Sequence, residues 1–320
     1  MFSADPDDAE TATINRSAPC EDHVNRESLP MPSQQTHPRK DAVPNTVDTV
    51  AHLPPGFTDT FTSRIVDVNG IAVHAVVGGD GPPLLLLPGW PQFWYCRQLV
   101  MPALAEHFTV IAADHRGQGA SDKPATGYDA ATLADDLAGL MAALGHSRYA
   151  VAGIDLGMAT GYALAGSHGE RVTQLAVVEA ILPGISPLPN LLSDATTNEF
   201  LWHFAFNRLQ DINERMVAGR EEIYFGHQFA TKAASPDAIP PHAVDLYVEA
   251  LRDPAALHAS FEIFRVDNDP LILGWQKEGP LDTGAGDRRR VLDRRQRRTG
   301  HAAGRHRRDR TGRSRLRAPS

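Results

Sequence analysis

Hydrophobic and polar positions alternate in short runs through the first half of the chain. The runs at 63–68 and 71–77 flank Asn69-Gly70, a dipeptide that favours a tight turn, and they predict a hairpin of two antiparallel edge strands. Leu84 to Leu87 is an unbroken apolar run, which is typical of a strand buried on both faces. Further strands are predicted at 108–113, 149–152 and 172–178, and a helix with one apolar face at 132–145. This alternation indicates a mostly parallel sheet with helices on both faces.

After Glu179 the strand pattern stops and helical periodicity replaces it. Apolar residues recur at helical spacing over 200–209, 214–230 and 242–264. A helical segment inserted after a sheet strand is placed to cover the carboxyl edge of the sheet, where open α/β sheets bind ligands. We therefore expect residues 183–270 to form a helical lid over a substrate site.

The two ends of the chain differ from this pattern. Residues 1–57 are rich in Pro, Asp, Ser and Thr, so we expect a disordered leader. The last 37 residues hold fourteen of the 31 Lys and Arg residues but only three of the 39 Asp and Glu residues. They show no apolar alternation, and a change of reading frame near Asp282 or Thr283 would explain this composition. For this tail we favour solvated disorder over its alternative, salt-sensitive binding of nucleic acid or another acidic surface.

Composition narrows the cellular setting. The chain has no apolar run of about 18 residues and no apolar segment near its first residue, so we expect neither a membrane span nor a secretory signal. Its two cysteines, Cys20 and Cys96, give no disulfide framework and fit a reducing cytoplasm. Because no His, Cys, Asp and Glu residues cluster at metal-ligand spacing, we expect no metal and no cofactor. The oligomeric state is left open.

The stretch at 153–157, GIDLG, carries the strongest chemical signal. It lies between a predicted strand and a helix rich in small residues, and it has the spacing of the G-x-S-x-G nucleophile elbow with Asp155 in the serine position. Glycines are needed two residues before and after the centre because the turn is strained and its backbones approach closely. A carboxylate held there can act as a nucleophile. The alternative is that Asp155 only caps the following helix.

Four features together resemble a known family. The sequences PGWP at 88–91, DHRGQGASDKP at 114–124 and GIDLG, followed by a helical insert, resemble the α/β-hydrolase fold family over roughly residues 58–282. The branch that it resembles is that of the epoxide hydrolases and the haloalkane and haloacetate dehalogenases, whose nucleophile is an aspartate. The resemblance implies that Asp155 attacks a small apolar electrophile and forms an ester. It also implies that the backbone N–H groups of Trp90 and Leu156 form the oxyanion hole.

Departures from the family pattern favour epoxides over organohalides. Haloalkane dehalogenases place Trp after the nucleophile and Asn in the preceding loop, where this chain has Leu156 and Trp90. Fluoroacetate-type dehalogenases place Arg after the nucleophile to hold the substrate carboxylate, which leucine cannot do. Without these halide and carboxylate ligands, an epoxide is the first-choice substrate and an organohalide the second.

Epoxide hydrolases, in turn, use two lid tyrosines that donate hydrogen bonds to the departing oxygen. The segment FEIFR at 261–265 resembles one of these sites and presents Phe264. The other site falls in LWHFAFN, where Trp202 or His203 replaces the tyrosine, and His203 has the alternative role of a packed lid residue. Two tyrosines, Tyr224 and Tyr247, remain as substitute donors. Epoxide opening without strong acid assistance should be slow.

The acid and base of the family are not both recognisable. Glu179 directly follows the strand at 172–178 and is the candidate acid, with a structural carboxylate as the alternative. His301 and His306 are the only histidines after residue 270, and nothing around them predicts a strand end. No base histidine is therefore assigned, and an Asp155 ester formed without one would persist. After epoxide and organohalide hydrolysis, the third hypothesis is therefore a catalytically inactive protein with a basic tail.

The expected organisation follows from these observations. It comprises the leader at 1–57, an α/β-hydrolase core at 58–182 and the helical lid at 183–270. Residues 271–320 would form an incomplete return to the core and the arginine-rich tail, with the C-terminal strands of the fold missing.

Overall fold

The structure of the chain is a computed structural model that describes residues 43–179, 181–182, 186, 190, 194–235 and 238–266. The predicted tail, including His301 and His306, lies outside these residues. Residues 1–42 of the predicted leader also lie outside them. The strands are β1 (Phe61–Val68), β2 (Ile71–Gly78), β3 (Pro83–Leu87), β4 (Thr109–Ala113), β5 (Tyr149–Ile154) and β6 (Val172–Val178). The helices are α1 (Phe57–Thr60), α2 (Met101–Ala105), α3 (Ala130–Ala143), α4 (Leu156–Ser167), α5 (Ala195–Asn207), α6 (Ile212–Val217), α7 (Glu221–Lys232), α8 (Pro241–Ala250) and α9 (Pro254–Arg265), with a 3-10 turn at Trp94–Arg97.

The strands form one six-stranded sheet in the order β1-β2-β4-β3-β5-β6. The β1–β2 and β2–β4 pairs are antiparallel, and the β4–β3, β3–β5 and β5–β6 pairs are parallel. This is the mostly parallel sheet of the α/β-hydrolase fold, as the sequence predicted. One detail of that prediction was wrong: only β1 of the hairpin is an edge strand, because β2 continues the sheet by pairing with β4.

Strand β3 shows why its sequence is apolar throughout. Leu85 and Leu87 pack in a cluster with helices α3 and α4, whereas Leu84 and Leu86 pack on the opposite face with aromatic residues, some of them from helices α5–α9. Side chains alternate between the faces of a strand, so a central strand covered on both sides needs apolar residues at every position. Helix α3 begins at Asp129, whose carboxylate accepts a hydrogen bond from the Thr132 N–H.

Helices α5–α9, here called the helical region, cover the aromatic face. Two of the long helices expected from periodicity are each interrupted. Gly219, with φ of 76°, separates α6 from α7, and Asp253 followed by Pro254 begins α9 after α8 ends. Apolar spacing continues across such breaks, so periodicity alone does not reveal them. No helix in the described part of the chain is both long and apolar enough to cross a membrane.

The expected leader is wrong for residues 43–56, which pack against the core. Val47 is buried, and its N–H donates to the Ser63 hydroxyl at 2.9 Å. The Trp94 indole N–H donates to the Asn45 carbonyl at 2.7 Å, and the Tyr95 hydroxyl donates to the Ala51 carbonyl at 2.9 Å. Buried Trp and Tyr polar atoms need partners, and this irregular segment supplies them through its backbone. Such acceptors leave no periodic signal in the sequence.

A buried ion pair fastens the loop after β4 to α3. Arg116 donates through Nε and Nη2 to the two carboxylate oxygens of Asp136, at 2.6 and 2.9 Å, and both side chains are buried. Asn69 in the hairpin turn also donates to Asp136, at 3.0 Å. One carboxylate therefore connects the hairpin, the loop and the helix.

Replacing this carboxylate should destabilise the protein far more than replacing its neighbour in the sequence. Asp136→Ala leaves a buried guanidinium unpaired, and we expect a loss of about 3–5 kcal/mol in the free energy of unfolding. The matched control is Asp135→Ala, since Asp135 forms an exposed pair with His168 at 2.7 Å and should cost about 1 kcal/mol or less. Urea unfolding of the two variants measures the difference, and equal losses would contradict this role of Asp136.

Candidate active site

Asp155 lies between the end of β5 and the start of α4, at a backbone turn that only neighbouring glycines permit. Its φ of 53° and ψ of −119° lie outside the regions that an aspartate ordinarily adopts. A Cβ at Gly153 would overlap the Gly157 carbonyl oxygen, and a Cβ at Gly157 would lie 2.7 Å from the Leu87 carbonyl oxygen. The side chain does not cap α4. The turn instead holds Asp155 above the carboxyl edge of the sheet.

Two backbone N–H groups point at the Asp155 carboxylate. The Trp90 N–H donates to Oδ1 at 2.7 Å, and the Leu156 N–H is the second backbone donor to the carboxylate. These are the groups that the sequence predicted for an oxyanion hole. Asp155 is accessible at the tip of the turn, yet protein atoms crowd its carboxyl. That burial raises the pKa of Asp155, and the two N–H groups oppose the rise.

The loop at 88–91 is tied to both the turn and the helical region. A Cβ at Gly89 would lie 2.9 Å from the Asp155 Cβ, so the loop passes the nucleophile candidate at van der Waals contact. The Trp90 indole N–H donates to the Ser260 carbonyl of α9 at 3.0 Å. Trp90 therefore directs its backbone N–H towards Asp155 while its side chain holds the helical region.

Aromatic residues of the helical region surround the Trp90 ring. His203 stacks on it at a centroid distance of 5.7 Å and an angle of 17°. Phe264 meets it edge-on at 5.0 Å, and Phe225 lies at 5.8 Å. Of the candidate residues that the sequence suggested, the structure thus brings His203 and Phe264 to the Trp90 loop. The wall that they form is apolar except for the imidazole.

His203 is a neutral imidazole at ordinary pH. Burial lowers its pKa to about 3, the charge of Lys232 adds to the effect, and the nearby Phe200 carbonyl opposes it. The His203 Nδ1 atom is buried and makes no well-formed hydrogen bond to any described residue. Buried polar atoms ordinarily have partners, so this nitrogen has hydrogen-bonding capacity to spare.

The substitute tyrosines have hydroxyl groups that are occupied elsewhere. The Tyr224 hydroxyl donates to the Asn207 side chain, and its ring packs against Trp202 at 5.6 Å. Tyr247 is buried among Phe93, Tyr95 and Phe229. Neither hydroxyl is placed beside Asp155 by these contacts. Trp202 belongs to the same packed aromatic group rather than to the Trp90 wall.

Glu179 is close enough to Asp155 for its charge to raise the Asp155 pKa. It is exposed, directly follows β6 and has a φ of 49°. It is thus at the sheet edge where the sequence placed the candidate acid. The candidate bases His301 and His306 lie outside the described residues, so the structure does not place a histidine next to Glu179. Among the described residues, no three His, Cys, Asp or Glu side chains form a group that could hold a metal ion.

Lys232 is a charged residue of this site that the sequence analysis missed. It ends α7, and its charge lowers the pKa of both Asp155 and His203. No motif marks it, because it reaches the site from the far end of a helix. Only its position, as the one Lys or Arg within α7, could have drawn attention to it.

Comparison with known proteins agrees with this fold. The family model described as alpha/beta hydrolase fold matches residues 82–238. Fluoroacetate dehalogenase from Burkholderia sp. is 35% identical over 211 residues, which are 62% of this chain and 67% of that protein. Soluble epoxide hydrolase from Corynebacterium sp. strain C12 is 45% identical over 118 residues, or 37% of this chain and 41% of that protein.

Solved structures give the same result. Cfl2 from Burkholderia cenocepacia superimposes with a TM-score of 0.68 at 33% identity and covers 72% of this chain and 79% of its own. The epoxide hydrolase CorEH superimposes with a TM-score of 0.60 at 29% identity and covers 65% and 75%. The sheet, the elbow and these relatives together mean that the chain belongs to the α/β-hydrolase fold family. Within that family it is a hydrolase of the epoxide hydrolase or dehalogenase type.

Adding one methyl group at Gly153 in the elbow should lower the free energy of unfolding, whereas adding one at Gly226 should not. We expect Gly153→Ala to cost about 1–3 kcal/mol, because the Cβ would overlap the Gly157 carbonyl and force the backbone apart. The control is Gly226→Ala within α7, where no atom lies within 4 Å of the added Cβ. That variant should gain about 0.5–1 kcal/mol from helix propensity. Thermal and urea unfolding compare them, and a stable Gly153→Ala protein would contradict the described turn.

Proposed function

We propose that Asp155 is the nucleophile of this hydrolase and that its substrate is a small apolar electrophile, with an epoxide as first choice. The observation that carries the proposal is the Asp155 carboxylate at the strained elbow, with Trp90 N–H 2.7 Å from its Oδ1. The strain and the raised pKa both leave this carboxylate in a costly state, which is common at functional sites. A residue that served only as a helix cap would accept from the N–H of the second or third residue of α4, and the Asp155 side chain makes no such capping bond.

The proposed chemistry has two steps. In the first, one Asp155 oxygen attacks a saturated carbon, forming an ester while the electrons of the broken bond go to the leaving atom. In the second, water attacks the ester carbonyl carbon, and the negative charge that develops on the carbonyl oxygen is stabilised by the N–H groups of Trp90 and Leu156. The acyl carbon–oxygen bond then breaks, the product leaves as an alcohol with one proton of the water, and the other proton goes to solvent as Asp155 becomes a carboxylate again. The same two donors would thus orient the free carboxylate and stabilise the later oxyanion.

The side chains around Asp155 support an epoxide over a halide. Leu156 follows the nucleophile and offers neither the N–H of a tryptophan nor the charge of an arginine. The Trp90 indole N–H is occupied by the Ser260 carbonyl and so is not free to bind a halide. Neutral His203, whose buried Nδ1 makes no well-formed hydrogen bond to a described residue, is a donor candidate for an epoxide oxygen. Phe264 supplies only apolar surface there.

A haloacetate or haloalkane is the second candidate substrate. The relative named fluoroacetate dehalogenase is 35% identical over 62% of this chain, and this similarity supports dehalogenation. The helical region would act as the lid in either reaction, and Glu179 would orient a base. With no base assigned, we propose that this chain forms the ester faster than it hydrolyses it. A negative result would instead favour an inactive protein whose basic tail binds nucleic acid or another acidic surface.

Incubation with an aryl epoxide should leave a covalent adduct on the protein. We expect intact-protein mass spectrometry to show an increase equal to the whole mass of the epoxide, because ring opening expels nothing. A haloalkane or haloacetate adduct would instead add the substrate mass less that of the hydrogen halide. The adduct should form faster as pH rises through the raised pKa of Asp155, since only the carboxylate attacks.

The control for this experiment is Asp155→Ala, which removes the attacking oxygen and leaves Trp90 and Leu156 in place. We expect no adduct with any substrate in this variant. Modification of Asp155→Ala at the rate of the unaltered protein would mean that another residue reacts. No adduct and no turnover in the unaltered protein would reject the proposed first step.

A further inference from the structure

Lys232 ends α7 and contacts the first turns of α5. Its Nζ donates to the Phe200 carbonyl at 2.6 Å and lies 4.9 Å from the centre of the Phe200 ring. The side chain is partly buried, and this burial lowers the pKa of its amine. Because a partly dehydrated ammonium group loses its proton more readily, it is a better proton donor than a fully exposed one.

A continuous series of contacts joins Lys232 to the nucleophile. The Phe200 carbonyl that accepts from Lys232 also lies beside the ring of His203, one helical turn further along α5. His203 stacks on Trp90, and the Trp90 N–H donates to Asp155. The ammonium group and the carboxylate therefore lie at opposite ends of one aromatic wall.

The charges of Lys232 and Asp155 act on each other across this wall. Asp155 is the largest favourable charge on the Lys232 amine, ahead of Glu199, and Lys232 in turn lowers the Asp155 pKa. Within the described residues, the hydrogen bond of Lys232 goes to the Phe200 carbonyl and not to the Asp155 carboxylate. The two groups are thus electrostatically coupled without a hydrogen bond between them.

We propose that Lys232 is the acid that protonates the departing oxygen of an epoxide while Asp155 attacks the ring carbon. The inference rests on the proposed function. It extends that function by naming a proton donor for the role that two lid tyrosines have in epoxide hydrolases. The Asp155 oxygen forms a bond to carbon, the carbon–oxygen bond of the ring breaks, and its electron pair goes to the epoxide oxygen. That oxygen takes a proton from Nζ, leaving a neutral amine that regains its proton from solvent. His203, which stacks on Trp90, would be a second and neutral donor.

A structural role for Lys232 would give different results. If its ammonium group only joined α7 to α5, its removal would slow every reaction at Asp155 to the same extent. An acid, by contrast, matters only for a leaving group that needs a proton. An alkoxide is strongly basic and needs one, whereas bromide leaves without one. The comparison of an aryl epoxide with a benzylic bromide therefore separates the two roles.

The experiment measures the first-order rate of adduct formation by intact-protein mass, in single turnover, for both substrates. For Lys232→Met we expect the epoxide rate to fall about 100-fold, as for loss of a general acid, and the bromide rate to fall less than about 10-fold. Lys232→Arg keeps the charge and the contact with the Phe200 carbonyl. Its epoxide rate should lie between that of the unaltered protein and that of Lys232→Met. Equal losses for both substrates in Lys232→Met, or no loss for either, would overturn the proposal.

The pH profile of epoxide opening gives a second readout. In the unaltered protein the rate should rise as Asp155 ionises and fall again as Lys232 loses its proton, at a pH below the usual lysine range. The alkaline fall should be absent in Lys232→Met and in Lys232→Arg, since arginine stays charged. A fall that persists in both variants would assign it to another group and contradict the proposal.

The other charged groups near Lys232 are accounted for in this profile. Glu199 on α5 faces the amine, and His227 on α7 lies 3.7 Å from Glu199. His203 stays neutral throughout, because its pKa is about 3. Failure of the proposed function would appear separately, as the absence of any Asp155-dependent adduct in the unaltered protein. If the bromide forms its adduct and Lys232→Met opens the epoxide as fast as the unaltered protein does, this inference is rejected and the proposed function is not.

Discussion

The close approach of β5 to the start of α4 is the constraint on which the site depends. Gly153 and Gly157 allow their backbones to pass at distances that a Cβ would forbid, and Gly89 allows the neighbouring loop to pass Asp155 itself. The turn that results holds Asp155 at a positive φ, above the end of the sheet. Sheet, loop and helix therefore meet at Asp155. The close approach of their backbones, rather than side-chain contacts, sets the position of this residue.

Electrostatics at the site follow from this placement. A carboxylate crowded by protein loses part of its hydration, and the N–H groups of Trp90 and Leu156 return only part of that loss. The aromatic wall around Trp90 adds apolar surface but few donors, so each remaining polar group matters more than it would in water. His203 and Lys232 are the polar groups that the described contacts connect to that wall. The site thus combines a partly dehydrated carboxyl group with few hydrogen-bond donors.

Much of the core could be predicted because its signals are local. The apolar run of β3, the glycine spacing around Asp155 and the hairpin at Asn69-Gly70 each arise from one steric or hydrophobic requirement that a few adjacent residues reveal. The packing of residues 43–56 could not be predicted, because it depends on backbone acceptors for Trp94 and Tyr95 from an irregular segment. Lys232 escaped notice for a similar reason, since its neighbours are brought together only by the packing of α5 against α7.

The hydrogen bond from the Trp90 indole to the Ser260 carbonyl has a consequence for how the protein works. The indole ring and the backbone N–H belong to the same residue, and the indole N–H donates to α9 while the backbone N–H donates to Asp155. Movement of α9 away from the sheet would break the indole bond, rotate the Trp90 side chain or draw the loop with it. If the proposed reaction requires such movement to admit a reactant, the same movement would act on the backbone donor of Asp155.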